Sequence, residues 1–383
     1  MRIYPSIQKE LVSSLSYLFH NRASSTQVVK YTFKRNKKWG AKDRRAFSEI
    51  FFDVVRYFGG FSEFVGKDLI HSKELADEDF EAIIELYLDE EKRREVQEQK
   101  ANQMVHNELL EEINNSFKDQ KLIDDYLETT LTIPPVFLRV NLSKTNAEDL
   151  IANLEQEGVE AFKVSSFCLR LSERKNVLQF KSYKEGHFEL QDGASQDVAP
   201  FVEPSGASRV ADTCAGAGGK TLHLADLMNG NGRVLALDIS ERRLEELKKR
   251  SKRTGFQNIE TRVIKNNKTL KRLSESFDRV LVDAPCTGTG TFRRKPEGKI
   301  HFRKERLNEL LKTQEEILAL HSKLVKPGGF LVYATCSILK SENQDQVDNF
   351  LAQNQNFKLV ESKTNAMGER DFDGFFMSKI QKN

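Results

Sequence analysis

Arg209-Val210-Ala211-Asp212-Thr213-Cys214-Ala215-Gly216-Ala217-Gly218-Gly219-Lys220-Thr221 reads as a short strand, a glycine-rich turn and the opening of a helix. Glycines let a ligand approach the backbone and leave the first N–H groups of the helix available to a carboxylate or phosphate. The ending Gly219-Lys220-Thr221 invites a phosphate-loop reading, but G-x-x-x-x-G-K-[ST] needs glycine at position 214, where Cys214 stands. That residue removes the nucleotide-hydrolase reading. About 20 positions on, Asp238 ends a second β-branched run, Arg233 to Leu237, where a carboxylate can accept from two ribose hydroxyls. A dinucleotide and an S-adenosyl cofactor suit this pair equally.

Outward from this turn, strand candidates recur at Thr261 to Ile264, Arg279 to Val282 and Phe330 to Ala334, with amphipathic helices at Glu241 to Thr254 and Lys304 to Leu324. Alternating strands and helices argue for a doubly wound α/β sheet from about residue 186 to residue 383. Before it, Ile133-Pro134-Pro135 punctuates the chain, and strands at Val136 to Val140 and Phe167 to Leu171 around a helix at Ala147 to Glu157 outline a small α/β subdomain, 131–185. Residues 1–130 hold four of the 21 glycines and no proline between Pro5 and Pro134, and their apolar residues recur at helical spacing, as in Ile7/Leu11/Leu15/Leu18 and Phe47/Ile50/Phe51/Val54/Val55/Phe58. An all-helical domain is expected there.

Composition narrows the function classes. The 383 residues are 38% hydrophobic and 31% charged, with no apolar run long enough to span a membrane. The N-terminus lacks the apolar segment of a secretory signal, so a cytoplasmic location is expected. Four dispersed cysteines and seven scattered histidines show no metal-ligand spacing, so no metal is expected. The net charge of +3 conceals an imbalance: residues 1–60 carry 12 Lys/Arg against 4 Asp/Glu, and residues 61–130 carry 8 against 20. Lys34-Arg35-Asn36-Lys37-Lys38-Trp39 and Lys42-Asp43-Arg44-Arg45 make this segment a candidate anion-binding face that would suit phosphates, although an exposed basic helix is about as often merely solvated.

Open α/β sheets bind ligands at the carboxyl ends of their strands. One strand ends in Val282-Asp283-Ala284-Pro285-Cys286-Thr287-Gly288 and another in Tyr333-Ala334-Thr335-Cys336-Ser337, which puts two cysteines on the ligand-binding edge. A lone buried cysteine is more often a small core hydrophobe than a nucleophile. Two at strand tips beside a cofactor loop reverse that reading. Cys168 and Cys214 have no such partner and read as core and loop structure. Between the two motifs, 292–306 carries seven Lys/Arg against Glu297 and Glu305 and reads as a phosphate-contacting loop.

Cys214 to Thr221, Asp238, Asp283-Ala284-Pro285-Cys286, Thr335-Cys336-Ser337 and Asp373-Gly374-Phe375-Phe376 together resemble the motif series of the RNA 5-methylcytosine methyltransferases related to bacterial Sun (RsmB-type). Arg139-Val140-Asn141 and Gln191-Asp192-Gly193-Ala194-Ser195-Gln196 are similar to that family's segments before the catalytic domain. The stretch Trp39-Gly40-Ala41-Lys42-Asp43-Arg44-Arg45 resembles the NusB-like RNA-binding module of its ribosomal members. The resemblance implies a Rossmann-like class I methyltransferase domain over 186–383, preceded by the small α/β subdomain and an all-helical N-terminal domain. It implies S-adenosyl-L-methionine as cofactor, held by Cys214, Ala215, Gly216, Ala217, Gly218, Gly219, Lys220, Asp238, Arg243, Asn267 and Asp283, with Cys336, Cys286, Asp283 and Lys220 as catalytic residues.

Cytosine carbon 5 is a poor nucleophile, and a thiolate added to carbon 6 makes it enamine-like. The family assigns that attack to the cysteine matching Cys336, and Cys286 stands where a base or its relay must take the carbon-5 proton. Two departures bear on cofactor affinity: Ala217 replaces the family's proline, and Asn267 replaces its acidic residue near adenine. Ribosomal RNA is the favoured substrate, with transfer RNA as the alternative. A DNA cytosine methyltransferase would carry proline-cysteine-glutamine, whereas Thr287 follows Pro285-Cys286 here. A catalytically silent assembly factor would not need the cysteine pair.

Overall fold

Segments short of glycine and proline have little to interrupt a helix, and the N-terminal third of the chain folds as helices Pro5–Asn21, Ser25–Arg35, Ala41–Arg56, Phe58–Phe64, Asp77–Leu88, Glu90–Gln97, Asn107–Ser116 and Gln120–Thr130. The computed structural model describes residues 3–66 and 75–383. Side chains satisfy the first amides of several helices: Ser24 accepts from Gln27 N at 3.3 Å, and Asp119 from Lys121 N at 2.9 Å. The apolar stripes read from the sequence are the core. Leu11, Leu15, Phe47, Phe51, Val54, Phe80 and Ile83 are all buried, and the Phe47 and Phe51 rings stack at 5.6 Å.

The chain divides into two compact units, one made of 1–133 and 287–307, the other of 134–286 and 308–383. The helical unit therefore includes a segment that the sequence reading assigned to a continuous catalytic domain and to a phosphate-contacting loop. That segment forms a short helix, Glu297–His301, and the start of Lys304–His321. Arg293 and Lys299 are buried, so these two cations are unavailable to phosphate. Glu297 accepts from Ser25 N at 3.1 Å and Ser25 Oγ at 2.7 Å, Tyr126 donates to Thr289 O at 2.9 Å, and Lys304 meets Glu108 and Glu112. Lys299 Nζ donates to Arg56 O at 2.8 Å. Partners far away in sequence take up Lys299 and Lys304, whereas Lys295 and Arg306 stay exposed.

In the second unit, a four-stranded antiparallel sheet of order β2-β3-β1-β4 comprises β1 (Phe137–Val140), β2 (Ala161–Lys163), β3 (Cys168–Leu171) and β4 (Phe188–Leu190). It extends past the expected boundary at 185 because Phe188–Leu190 pairs with β1. The larger sheet comprises β5 (Arg209–Asp212), β6 (Arg233–Asp238), β7 (Ile259–Val263), β8 (Phe277–Asp283), β9 (Val325–Thr335), β10 (Phe357–Asn365) and β11 (Phe375–Lys382), in the order β10-β11-β9-β8-β5-β6-β7. Strands β5 to β9 pair in parallel, and β11 enters antiparallel to β9. This is the Rossmann-like architecture expected from the glycine turn outward.

Both faces of the large sheet are covered, and neighbouring residues along a strand serve opposite faces. Val210, Leu281, Val332 and Ala334 belong to one apolar cluster, while Ala211, Val280, Val282, Leu331 and Tyr333 belong to the other. β10 was not among the strand candidates. It is the outer strand, its central residues face solvent, and Lys358, Glu361 and Lys363 interrupt its apolar pattern, as protected edges require.

Burial, with the nearby Arg56 charge, lowers the Lys299 pKa from 10.5 to about 7. Between those values the unfolded chain holds a proton that the folded chain lacks, so this group makes stability rise with pH through that window. Urea unfolding should show the wild type gaining on Lys299→Met by about 1.4 kcal/mol per pH unit within the window. Parallel pH profiles for the two proteins would show that Lys299 is charged when folded.

Candidate active site

The order of the large sheet reverses between β5 and β8, so the loops leaving these two strands diverge and open a crevice at their carboxyl ends. The turn after β5 lines it. Ala215 N donates to Leu237 O at 3.0 Å and Gly218 N to Ala215 O at 2.9 Å, which ties the turn to β6 before the helix Gly219–Leu227 begins. Gly216 and Gly218 have φ of +55° and +89°, conformations that favour glycine. A Cβ on Gly218 would lie 1.8 Å from Leu247 Cδ1, whereas one on Gly216 would meet open space.

Asp238 ends β6 and is buried against this turn. Gly216 N donates to its Oδ2 at 2.8 Å and Ser240 N to its Oδ1 at 2.7 Å, which fixes the carboxylate while each oxygen keeps a second acceptor position. Across the crevice, Lys220 Nζ donates to Asp283 Oδ2 at 2.7 Å and lies 4.8 Å from the Phe375 ring centroid. Burial pulls the Lys220 pKa down, yet Asp283, aided by Cys336 and Asp212, holds it above its ordinary value. An ammonium one residue into a helix faces the unfavourable end of the dipole. The carboxylate from the neighbouring strand is what retains it there.

The thiols of Cys286 and Cys336 are 3.5 Å apart, and none of the four cysteines is in a disulfide. The loop carrying Cys336 is held from several sides. Thr335 Oγ1 donates to Asn343 Oδ1 at 2.5 Å, Asn343 Nδ2 to Ser337 O at 2.9 Å, and Leu339 N to Ser337 Oγ at 3.0 Å. Gln314 Nε2 donates to Pro285 O at 2.9 Å and to Glu342 Oε1 at 3.0 Å, joining the backbone beside Cys286 to the segment after Cys336. Two cysteines 50 residues apart are thus presented side by side, next to a Lys–Asp pair, on rigid strand ends.

Cys168 is buried in the core and its pKa is pushed up to about 12; burial also raises Cys214, which packs under the turn. Ala217 O accepts from Arg250 Nη1 at 2.6 Å, an anchor that helps to hold the turn. Asn267 begins the short helix Asn267–Lys271 and Arg243 lies in the first turn of Glu241–Thr254; both are exposed, outside the hydrogen-bonded group above.

Several supporting residues had no role assigned from the sequence. Asp212 is buried with Oδ2 accepting from Thr221 Oγ1 at 2.7 Å, and burial, opposed by that bond and reinforced by Asp283, lifts its pKa to about 7. Arg139, buried in the small sheet, donates to Gly219 O at 2.5 Å and to Gln191. One signal was available. In Lys304–His321, Gln314 lies four residues from both Leu310 and Leu318, a polar side chain within an apolar stripe, and it is fully buried.

Residues 199–381 match the family described as 16S rRNA methyltransferase RsmB/F, and residues 109–178 match the ferredoxin-like domain of the RsmF/B-like methyltransferases. The ribosomal RNA small subunit methyltransferase B of Klebsiella pneumoniae is 33% identical over 286 residues, which is 72% of this chain and 65% of that protein. The chain thus aligns with just under two thirds of the relative's length. Among solved structures, PH0851 superposes over 100% of both chains with a TM-score of 0.83 and 24% identity. A methyltransferase homolog from Pyrococcus horikoshii covers 73% of this chain and 100% of its own, with a TM-score of 0.60 and 25% identity.

The two turn glycines should respond unequally to the same change. Gly218→Ala combines a left-handed backbone with a collision against Leu247 and should destabilise by about 2–5 kcal/mol. Gly216→Ala meets only the left-handed backbone penalty, about 1–2 kcal/mol. Equal urea midpoints for the two variants would contradict this account of the turn.

Proposed function

The chain belongs to the RsmB/F methyltransferase family, and from that membership we propose that it is an S-adenosylmethionine-dependent methyltransferase of carbon 5 of a cytosine in small-subunit ribosomal RNA. The observation that carries the reading is the pair of thiols 3.5 Å apart beside the Lys220–Asp283 ion pair. A methyltransferase acting on an oxygen or an exocyclic nitrogen needs no thiol nucleophile, because its target already has a lone pair. Carbon 5 of cytosine does not, and an enzyme that methylates it must first add a nucleophile to carbon 6.

The residues around the glycine turn suit the cofactor. Asp238 offers two fixed oxygens to ribose hydroxyls, Gly216 leaves open space where a side chain would intrude, and the turn brings backbone close to that space. Arg243 and Asn267 flank it on the following elements, the latter able to accept from an adenine amino group through its amide oxygen. Bound there, S-adenosylmethionine would supply carbon 5 with an electrophilic methyl group whose leaving group is a neutral thioether.

The chain's own residues perform the remaining steps. Cys336, as thiolate, forms a bond to carbon 6 and the 5,6 double bond of the base is lost. Asp283 faces the N3/N4 edge, where a carboxyl group favours the protonated, electron-poor ring during attack, and Lys220 holds that carboxyl in place. After methylation Cys286 takes the proton from carbon 5, the carbon 6–sulfur bond breaks with its electrons returning to Cys336, and the double bond is restored. The 3.5 Å between the two sulfurs lets both reach adjacent carbons of one ring.

Two experiments test this reading. Asp238→Ala should raise the dissociation constant for S-adenosylmethionine about tenfold or more, since charge-assisted hydrogen bonds contribute about 1.5–3 kcal/mol; unchanged affinity by calorimetry would place the ribose elsewhere. The cysteines should give opposite phenotypes. Cys336→Ala should form no covalent RNA adduct and transfer no methyl group, whereas Cys286→Ala should accumulate a methylated enzyme–RNA adduct stable to denaturing electrophoresis. Reversed phenotypes would exchange the two roles, and full turnover by both variants would make the cysteines structural.

A further inference from the structure

The helical unit carries a surface feature that methyl transfer does not use. Tyr17 and Tyr31 are 49% and 55% exposed, and their rings lie 6.2 Å apart at 21° to one another. The helices that bear them, Pro5–Asn21 and Ser25–Arg35, are joined by a buried hydrogen bond between Ser14 Oγ and Thr32 Oγ1 at 3.0 Å. Both rings are therefore held on one outer face by a rigid pair of helices. The Arg35 guanidinium lies 5.7 Å from the Tyr31 centroid and 3.6 Å from Glu10, which orients it across the ring.

The surroundings are polar and cationic. Residues three or four positions from the two tyrosines on their helices include the exposed Ser13, Asn21, Gln27 and Lys34, and exposed Lys37 and Lys38 follow directly. A protein-docking surface built on aromatic residues is expected to ring them with apolar side chains and to be depleted in lysine. An exposed aromatic pair among lysines has instead the composition of single-strand nucleic-acid sites, where bases stack on rings and cations follow the backbone.

We propose that Tyr17 and Tyr31 form a stacking platform for unpaired RNA bases, with Lys34, Lys37 and Lys38 contacting the phosphates beside them. The proposal rests on the reading of the chain as an RNA enzyme and adds that its helical unit selects single-stranded RNA. Stacking is independent of salt, whereas phosphate contacts release counterions, so the two parts of the site have different signatures.

Binding of the full chain to a labelled, unstructured RNA of about twelve nucleotides, within the span of single-strand sites, and to a duplex of equal length separates the outcomes. The double variant Tyr17→Ala/Tyr31→Ala should lose about tenfold or more in single-strand affinity with its salt slope unchanged, while duplex binding changes by less than about twofold. Tyr17→Phe/Tyr31→Phe should retain the affinity. Lys34→Gln/Lys38→Gln should lower the salt slope by about 0.7 per lost phosphate contact. In the wild type, the same RNA carrying 4-thiouridine should photocrosslink to peptides containing Tyr17 or Tyr31. Single-strand affinity retained by the alanine variant, equal loss for duplex and single strand, or crosslinks that avoid both tyrosines would each overturn the platform while leaving the cysteine chemistry standing. A wild type that binds neither RNA would overturn both readings.

Discussion

The reversal of strand order between β5 and β8 is the constraint from which the site follows. Parallel strands on either side of that point send their connections in opposite directions, so the carboxyl ends of β5 and β8 cannot be closed over by a shared crossover. The glycine turn, Asp238, the Asp283 and Cys286 loop and the Cys336 loop all occupy strand ends at this edge. Lys220 and Asp283, from the two sides of the reversal, meet there at 2.7 Å. Removing either partner of such a pair leaves a largely buried charge without its counter-ion.

A second set of charges joins the small sheet to the cofactor turn. Glu189 of β4 is almost fully buried between Arg250 and Arg253 of the helix after β6, and Arg250 also reaches Ala217 O. Arg139 of β1 reaches Gly219 O, and Asn141 donates to Gly186 O at 2.8 Å and Thr254 O at 3.0 Å. Asp226, on the helix that starts at the turn, accepts from Leu142 N and Ser143 N, both at 2.9 Å. The motif Arg139-Val140-Asn141 is thereby explained by geometry. Its polar side chains satisfy the carbonyls of Gly219 and Thr254 on the cofactor side and of Gly186 ahead of β4, and Val140 between them packs into the small sheet's own core.

The segment 287–307 belongs to a different body from the residues on either side of it. Burying Lys299 without a carboxylate is costly, and its proton affinity falls accordingly. Glu297, by contrast, meets the backbone and hydroxyl of Ser25, a pair of donors at the start of a helix where negative charge is favoured. The helical unit thus takes part of its core from chain that follows Cys286 directly.

Local chemistry made much of this protein legible before its structure. The glycine turn could only be a turn, because Gly216 and Gly218 adopt backbone angles that cost other residues energy; the strands β5 to β9 and the N-terminal helices follow from period and punctuation. The cysteine pair and Asp238 were visible because strand ends are where open sheets bind. Tertiary structure alone decided the rest. The burial of Lys299 and Arg293, the pairing of β4 with β1 and the support of the Cys336 loop by Gln314 and Asn343 depend on partners that no local pattern encodes. A side chain's charge is a property of its residue, but whether that charge faces water, phosphate or a carbonyl oxygen is set by which distant segment the fold brings against it.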